Sequence, residues 1–201
     1  MDLSLMSLMM ALAINPPLTG PVAEELDYFI KTSDGRQRIE EGLVRMEDFR
    51  SVVETELAAL GLPLELAVIP LVESGYENTP DLDGRGQCCA GLWQFRRDTA
   101  RTLGLVVNKK LDERRAVKKS SRAAAKLLAR QYRRFKDWGL AIAAYNAGER
   151  AVEKAIRHGR TRDVGVLVQK RRLPRYAAKV LAAMVAVRRR APSPPEKAAL
   201  R

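Results

Sequence analysis

Ala67-Val68-Ile69-Pro70-Leu71-Val72-Glu73-Ser74-Gly75-Tyr76 is the stretch on which the reading of this chain turns. Leu64, Ala67, Val68, Leu71 and Val72 recur at helical spacing, so residues 64–74 are predicted to form a helix. Pro70 inside it lacks a backbone donor, and a kink is expected there. Gly75 is a natural stop, because glycine enters the left-handed conformation at little cost. Glu73 then falls in the last turn, where the helix dipole is negative and an ionised carboxylate is disfavoured. Apolar neighbours act in the same direction, since desolvation raises a carboxyl pKa. A carboxylic acid kept protonated near neutral pH is what a general acid requires. Taken alone, the same residue also reads as an exposed glutamate at a frayed helix end.

The surrounding 201 residues are long enough for one domain with a substantial core, and 46% hydrophobic content lies in the globular range. Aromatic residues make up only 5%, and alanine and leucine dominate the periodic segments, which favours an all-α domain. At most a small hairpin is expected, in the loop 78–88, which is rich in Gly, Asp and Pro.

A net charge of +12 conceals an uneven distribution. Residues 1–90 hold 6 Lys and Arg against 16 Asp and Glu, a balance of −10; residues 91–201 hold 30 against 8, a balance of +22. The basic half implies an anionic partner: nucleic acid, a lipid headgroup surface or an acidic polymer. Lys109-Lys110, Lys118-Lys119 and Arg188-Arg189-Arg190 carry no interleaved aromatics, which argues against a nucleic-acid groove. Two adjacent cysteines, Cys88 and Cys89, and one histidine, His158, cannot assemble a metal site. A disulfide between neighbouring cysteines needs a strained ring, so thiols are the simpler reading. His158 reads as a solvated or capping residue near a helix end.

Organisation follows the punctuation of the chain. Leu3–Leu12 is an apolar run of signal-peptide length with a small-x-small pattern at Ala11-Leu12-Ala13, yet Asp2 stands where a positive charge belongs. Residues 1–20 are read as that segment plus a linker, 21–190 as the folded domain and 191–201 as a disordered tail. Within the domain, helices are predicted from Pro21 to about Lys31, from Arg36 to Leu60 with a break near Glu47-Asp48, and from Arg97 to Leu103. More follow over Asp112–Phe135, Trp138–Ala147 (capped by Asp137), 149–158 and Pro174 to about Arg190. Ser33-Asp34-Gly35 is predicted to be a turn, and 159–172 is left irregular. Trp138, at a helix start, is expected in the core.

Three segments carry chemistry in a fixed order: Val72-Glu73-Ser74-Gly75-Tyr76, then Ala90-Gly91-Leu92-Trp93-Gln94-Phe95, then Ala143-Ala144-Tyr145-Asn146-Ala147-Gly148. Together they resemble the lytic murein transglycosylases of goose-type lysozyme fold, with a likeness to their D-type membrane-bound branch, over about residues 21–190. The resemblance implies that Glu73 is the single catalytic acid/base and that Ser74 offers a hydroxyl near the substrate's N-acetyl group. It implies that Gly91, Leu92, Trp93 and Gln94 shape the cleft floor, with Gln94 as hydrogen-bonding residue, and that Tyr145 and Asn146 pack behind the acid. Tyr176 resembles a further tyrosine facing the site, although the Leu173-Pro174-Arg175-Tyr176 segment is shortened there.

Residue chemistry fits these roles. Gly91 would permit close backbone approach to an extended sugar chain, and Trp93 would offer an apolar face to a pyranose ring, unless it and Tyr145 are core aromatics. Gln94 and Asn146 would supply neutral hydrogen-bonding groups. The resemblance implies peptidoglycan glycan strands as substrate, no cofactor or metal, a location in the periplasm or cell envelope, and cleavage between N-acetylmuramic acid and N-acetylglucosamine to a 1,6-anhydro product. A hydrolytic lysozyme and an inactive wall-binding protein on the same fold are the alternatives.

Overall fold

The computed structural model describes residues 14–80 and 89–190. Ten α-helices account for most of them: α1 Gly20–Lys31, α2 Ser33–Glu47, α3 Arg50–Ala58, α4 Val68–Ser74, α5 Arg97–Thr102, α6 Val117–Phe135, α7 Trp138–Ala147, α8 Glu149–Gly159, α9 Val164–Gln169 and α10 Tyr176–Arg190. Short 3₁₀ turns at Leu64–Ala67 and Glu113–Arg115 lead into α4 and α6. Cys89–Ala90 (β1) pairs antiparallel with Phe95–Arg96 (β2), Cys89 opposite Arg96 and Ala90 opposite Phe95. The fold is mainly α with a small hairpin, as expected; among the described residues the hairpin lies at 89–96, and residues 81–88 of the loop 78–88 are outside the described ones.

Helix α10 is the axis of the bundle. Its Ala177, Ala178, Val180, Leu181, Ala182, Ala183, Met184 and Ala186 are all buried, and it packs against α1, α4 and α7. Alanine on several sides of one helix lets neighbours approach closely, which explains burial around most of its circumference. The long helix α6 closes the other side against α3 and α7. Between α3 and α6, Glu56, only 4% exposed, takes two bonds from the Arg122 guanidinium at 2.8 and 3.1 Å. The bidentate geometry offsets the cost of burying that carboxylate.

Several helix ends are those the sequence marks. Asp137 caps α7, accepting a bond from the Leu140 N–H at 2.7 Å, and the break between α2 and α3 falls at residues 48–49. Ser33-Asp34-Gly35 is not a turn but the first turn of α2. Thr32 caps it by accepting from the Gly35 N–H, and a Cβ at Gly35 would lie 2.1 Å from the Tyr28 carbonyl oxygen, so glycine is there for helix approach. Residues 164–169 within the stretch left irregular form α9, capped by Asp163, which accepts from the Val166 N–H at 2.9 Å. Pro70 causes no mid-helix kink, because the 3₁₀ turn at 64–67 makes it the third residue of α4, where its missing donor has no helical partner to lose.

The stretch 14–19 is no free linker. Ile14 is buried, and Arg188 donates to the Ile14 carbonyl at 2.9 Å and to Asn15 Oδ1 at 2.8 Å. Trp138 is half-buried and stacks on Tyr132 with ring centroids 4.2 Å apart, while His158 is exposed in the last turn of α8. The apolar run at 3–12, Cys88 and the tail 191–201 lie outside the described residues.

Candidate active site

Helix α4 delivers Glu73 to its last turn, and Gly75 ends it in the left-handed conformation with φ of 61°. Arg45 of α2 fastens this end, donating from Nε to the Gly75 carbonyl at 2.6 Å. Tyr76 locks the other side: its ring is buried and its hydroxyl donates to the Ala67 carbonyl at 2.6 Å. The carboxyl of Glu73 is half-buried and accepts a bond from the Tyr176 hydroxyl at 2.6 Å. Burial pushes its pKa up to about 7, against the opposing effects of the Tyr176 bond and the Lys179 charge. The hydroxyls of Tyr145 and Tyr176 are held well above their ordinary range, by burial first and then by the neighbouring Glu73 charge. Both phenols are thus neutral donors at any pH where Glu73 titrates.

Glu73 opens into a cleft of about 300 Å³ lined also by Arg38, Glu41, Arg45, Ser74, Glu77 and Lys179. Glu41 and Glu77 are exposed, each with an oxygen 3.9 Å from Arg45 Nη1. Glu73 therefore differs from the other two acids of the cleft in burial and in its tyrosine partner.

The second motif forms the tight turn between β1 and β2, and its three carbonyls at residues 91–93 are each bonded to a side chain. The Gly91 carbonyl accepts from Gln94 Nε2 at 2.9 Å, the Leu92 carbonyl from the Ser74 hydroxyl at 3.0 Å, and the Trp93 carbonyl from the Tyr145 hydroxyl at 2.6 Å. One group in each of the first and third motifs thus holds the second. Gln94 also donates to Thr79 Oγ1 at 2.8 Å, and it occupies a left-handed backbone position, φ 48°. That conformation is costly for a residue with a side chain and persists only where the surroundings hold it.

Three expectations change, those for Trp93, Leu92 and Gly91. Trp93 is not a sugar platform: it has 0% exposure, and its indole N–H donates to the Ser121 hydroxyl at 2.9 Å inside the core. Leu92 is equally buried. Gly91 serves an internal approach, because with φ of 74° a Cβ there would sit 2.0 Å from the Arg114 carbonyl oxygen. Arg114 itself has 0% exposure, bonds Asp112 through Nε at 2.9 Å and Nη2 at 2.6 Å, and reaches the Phe95 carbonyl at 3.2 Å. Asn146 is exposed and lines a hollow of about 740 Å³ with Tyr145 and Gln131. Glu73, Ser74, Tyr145 and Tyr176 do come together, and Gln94 borders them, half-buried.

Arg38, Arg45 and Lys179 in the cleft were not singled out from the sequence. Lys179 could have been found, since it lies three residues after Tyr176 on one helix face. Arg38 and Arg45 reach the cleft from α2, with no local signal. Among the described residues no group of His, Cys, Asp and Glu is arranged to hold a metal ion, and no helix is long and apolar enough to cross a membrane.

Comparison with known proteins agrees with this geometry. The transglycosylase SLT domain matches residues 54–166, a span that holds Glu73, the 91–94 turn, Tyr145 and Asn146 but stops short of Tyr176. The chain is 33% identical over 144 residues to the membrane-bound lytic murein transglycosylase D of Escherichia coli (strain K12), covering 69% of this chain and 31% of that protein. It is 34% identical over 113 residues to a protein of Alteromonas sp. (strain M-1) named for tributyltin chloride resistance, covering 56% of this chain and 53% of that one. The chain thus spans about a third of the first relative and about half of the second. With more than half its length matched by the family and the three motifs meeting around one half-buried glutamate, the chain belongs to the transglycosylase SLT family.

Proposed function

We propose that this chain is a peptidoglycan lytic transglycosylase in which Glu73 is the only acid/base. The observation that carries this reading is the half-buried Glu73 carboxyl, bonded to Tyr176 at 2.6 Å and titrating near 7 in an open cleft. Protonated, Glu73 gives its proton to the glycosidic oxygen between N-acetylmuramic acid and N-acetylglucosamine as the C–O bond breaks. The acetamido group of the muramyl sugar stabilises the anomeric carbon, which makes a second carboxylate unnecessary. Glu73, now a carboxylate, takes the proton of the same sugar's C6 hydroxyl. That oxygen closes on the anomeric carbon to give the 1,6-anhydro ring. An intramolecular nucleophile has an effective concentration that bulk water does not reach.

Relatives named for murein cleavage support glycan strands as the substrate and the cell envelope as the location. The basic half would hold the protein near anionic wall or membrane material. Lys118, Lys126 and Arg133 of α6 and Lys154 and Arg157 of α8 are exposed without an ion pair among the described residues, whereas Arg122, Arg130 and Arg134 face Glu56, Glu149 and Glu153.

A hydrolytic outcome is the second reading, favoured by one observation: Glu41 and Glu77 share the cleft and could position water. Mass spectrometry of products from purified sacculi separates the two, because the anhydro product lacks one water relative to the hydrolytic one. Anhydro ends lost in Glu73→Gln are the expected result. Reducing ends would establish hydrolysis, and no cleavage by the parent protein would leave only wall binding.

A further inference from the structure

Three walls meet at the Glu73 cleft: α2 supplies Arg38, Glu41 and Arg45, the end of α4 supplies Glu73 and Ser74, and α10 supplies Lys179. Their charges are not equally spent. Arg45 is committed to the Gly75 carbonyl at 2.6 Å and lies 3.9 Å from both Glu41 and Glu77. Glu41 is further engaged by Gln37 Nε2 at 2.7 Å. Arg38 and Lys179 make no ion pair and no side-chain hydrogen bond among the described residues, although exposed acids abound on α2. Lys179 is half-buried, and its charge is felt by the Glu73 carboxyl, so the ammonium lies within electrostatic reach of the acid. It stands one helical turn beyond Tyr176, the residue bonded to Glu73, and therefore beside the point where a bond would be cut.

Resting on the glycan-cleaving reading above, we infer that Arg38 and Lys179 are a carboxylate-recognising pair, selecting strands whose sugar at the scissile bond carries an acidic substituent. A guanidinium can hold a carboxylate with two parallel bonds, and an ammonium adds a point charge, so the pair suits one such group better than it suits neutral hydroxyls. Two parts of a peptidoglycan strand have this chemistry: the lactyl carboxylate of a muramyl sugar without its peptide, and the free carboxylates of an attached stem. Chitin-like strands have neither. The two cations are specificity residues; the proton transfers remain with Glu73.

The test uses the full chain carrying Glu73→Gln, so that ligands survive, with binding followed by calorimetry. Three probes are compared: a muramyl tetrasaccharide with peptide stems, the same sugar with the stems removed, and the stem-free sugar with its lactyl carboxylates amidated. The amidated probe should bind about tenfold more weakly than whichever acidic probe supplies the recognised group. Preference for the stem-free acid assigns the lactyl group; preference confined to the stem-bearing probe assigns the stem. Adding Arg38→Gln or, separately, Lys179→Gln should close that gap, and should steepen no dependence on salt. Equal affinity for all three probes, or a gap that survives both substitutions, overturns the inference, as does failure of every probe to bind. Cleavage of sacculi by the parent protein is scored separately. Activity there with equal probe affinities sinks the carboxylate pair alone, whereas no activity sinks the glycan-cleaving reading.

Discussion

The hydroxyl of Tyr176, at the first residue of α10, lies 2.6 Å from a carboxyl oxygen of Glu73, in the last turn of α4, across 103 residues of chain. A phenol that stays protonated donates to the carboxylate and favours its charged form, while burial favours the neutral form. Burial wins, and Glu73 titrates near 7. The acid is therefore poised to hold its proton at neutral pH and still release it, as the two proposed proton transfers would require.

Replacing Glu73 with Gln should remove cleavage by roughly 10²–10⁴-fold or more while preserving the fold. Stability makes a sharper check. A carboxyl whose folded pKa is raised from 4.5 to about 7 costs the folded state nothing below the unfolded pKa and progressively more as pH rises between the two values. The full penalty, at most about 3 kcal/mol and reduced by solvent reaching a half-buried group, is present above pH 7. Glu73→Gln should accordingly melt above the parent at pH 8 and level with it at pH 4. Equal melting at both would mean that the carboxyl is not desolvated.

Removing the hydroxyl in Tyr176→Phe should raise the Glu73 pKa further, because the lost bond favoured the carboxylate. The alkaline limb of the pH–rate profile, near 7 in the parent, should move upward. The maximal rate should fall roughly tenfold, since a charge-assisted bond that orients the acid is worth about 1.5–3 kcal/mol. A profile that moves down, or does not move, contradicts the arrangement.

Trp93→Ala should cost about 3–5 kcal/mol, through the cavity left in the core and the orphaned Ser121 hydroxyl. For a domain of this size the melting temperature falls by roughly 10 °C or more. Trp93→Phe, which keeps most of the volume, should leave substrate KM within about twofold, because the indole offers no open face to a sugar. A large rise in KM with an unchanged melting temperature would restore Trp93 as a substrate contact.

Gly91→Ala should be among the most damaging substitutions outside the acid itself. It combines φ of 74° with a Cβ 2.0 Å from the carbonyl oxygen of Arg114, which is buried and held by three side-chain bonds to Asp112 and Phe95. A loss of roughly 3 kcal/mol or more is expected, read by thermal or denaturant unfolding.

Local chemistry makes the Glu73 helix readable. An apolar stripe, one carboxylate and a terminal glycine are all contained in ten consecutive residues, and the caps at Asp137 and Gly148 are local in the same sense. The purpose of a residue whose partners are distant is not local in this sense. Gly91 and Trp93 looked like ligand contacts because small and aromatic residues serve both clefts and cores; only Arg114 and Ser121, 23 and 28 positions away, decide for the core. Ser33-Asp34-Gly35 has turn composition, yet Thr32 turns it into a capped helix start. Pro70 announces a break only if the helix begins at 64, and a 3₁₀ turn moves that beginning to 68.

The braces on the Leu92 and Trp93 carbonyls come from residues 18 and 52 positions away. Neither can close until α4 and α7 have docked, and each closure must first overcome the entropy of the chain between. The turn opposite the acid is therefore expected to be among the last parts of the protein to take shape and among the first to loosen on warming. Amide exchange in residues 91–94 should then be faster than in α10, and activity should disappear a few degrees below the loss of helix. A protein built this way completes the surroundings of Glu73 only when the whole bundle is in place, so a half-formed chain holds the acid without the turn that faces it.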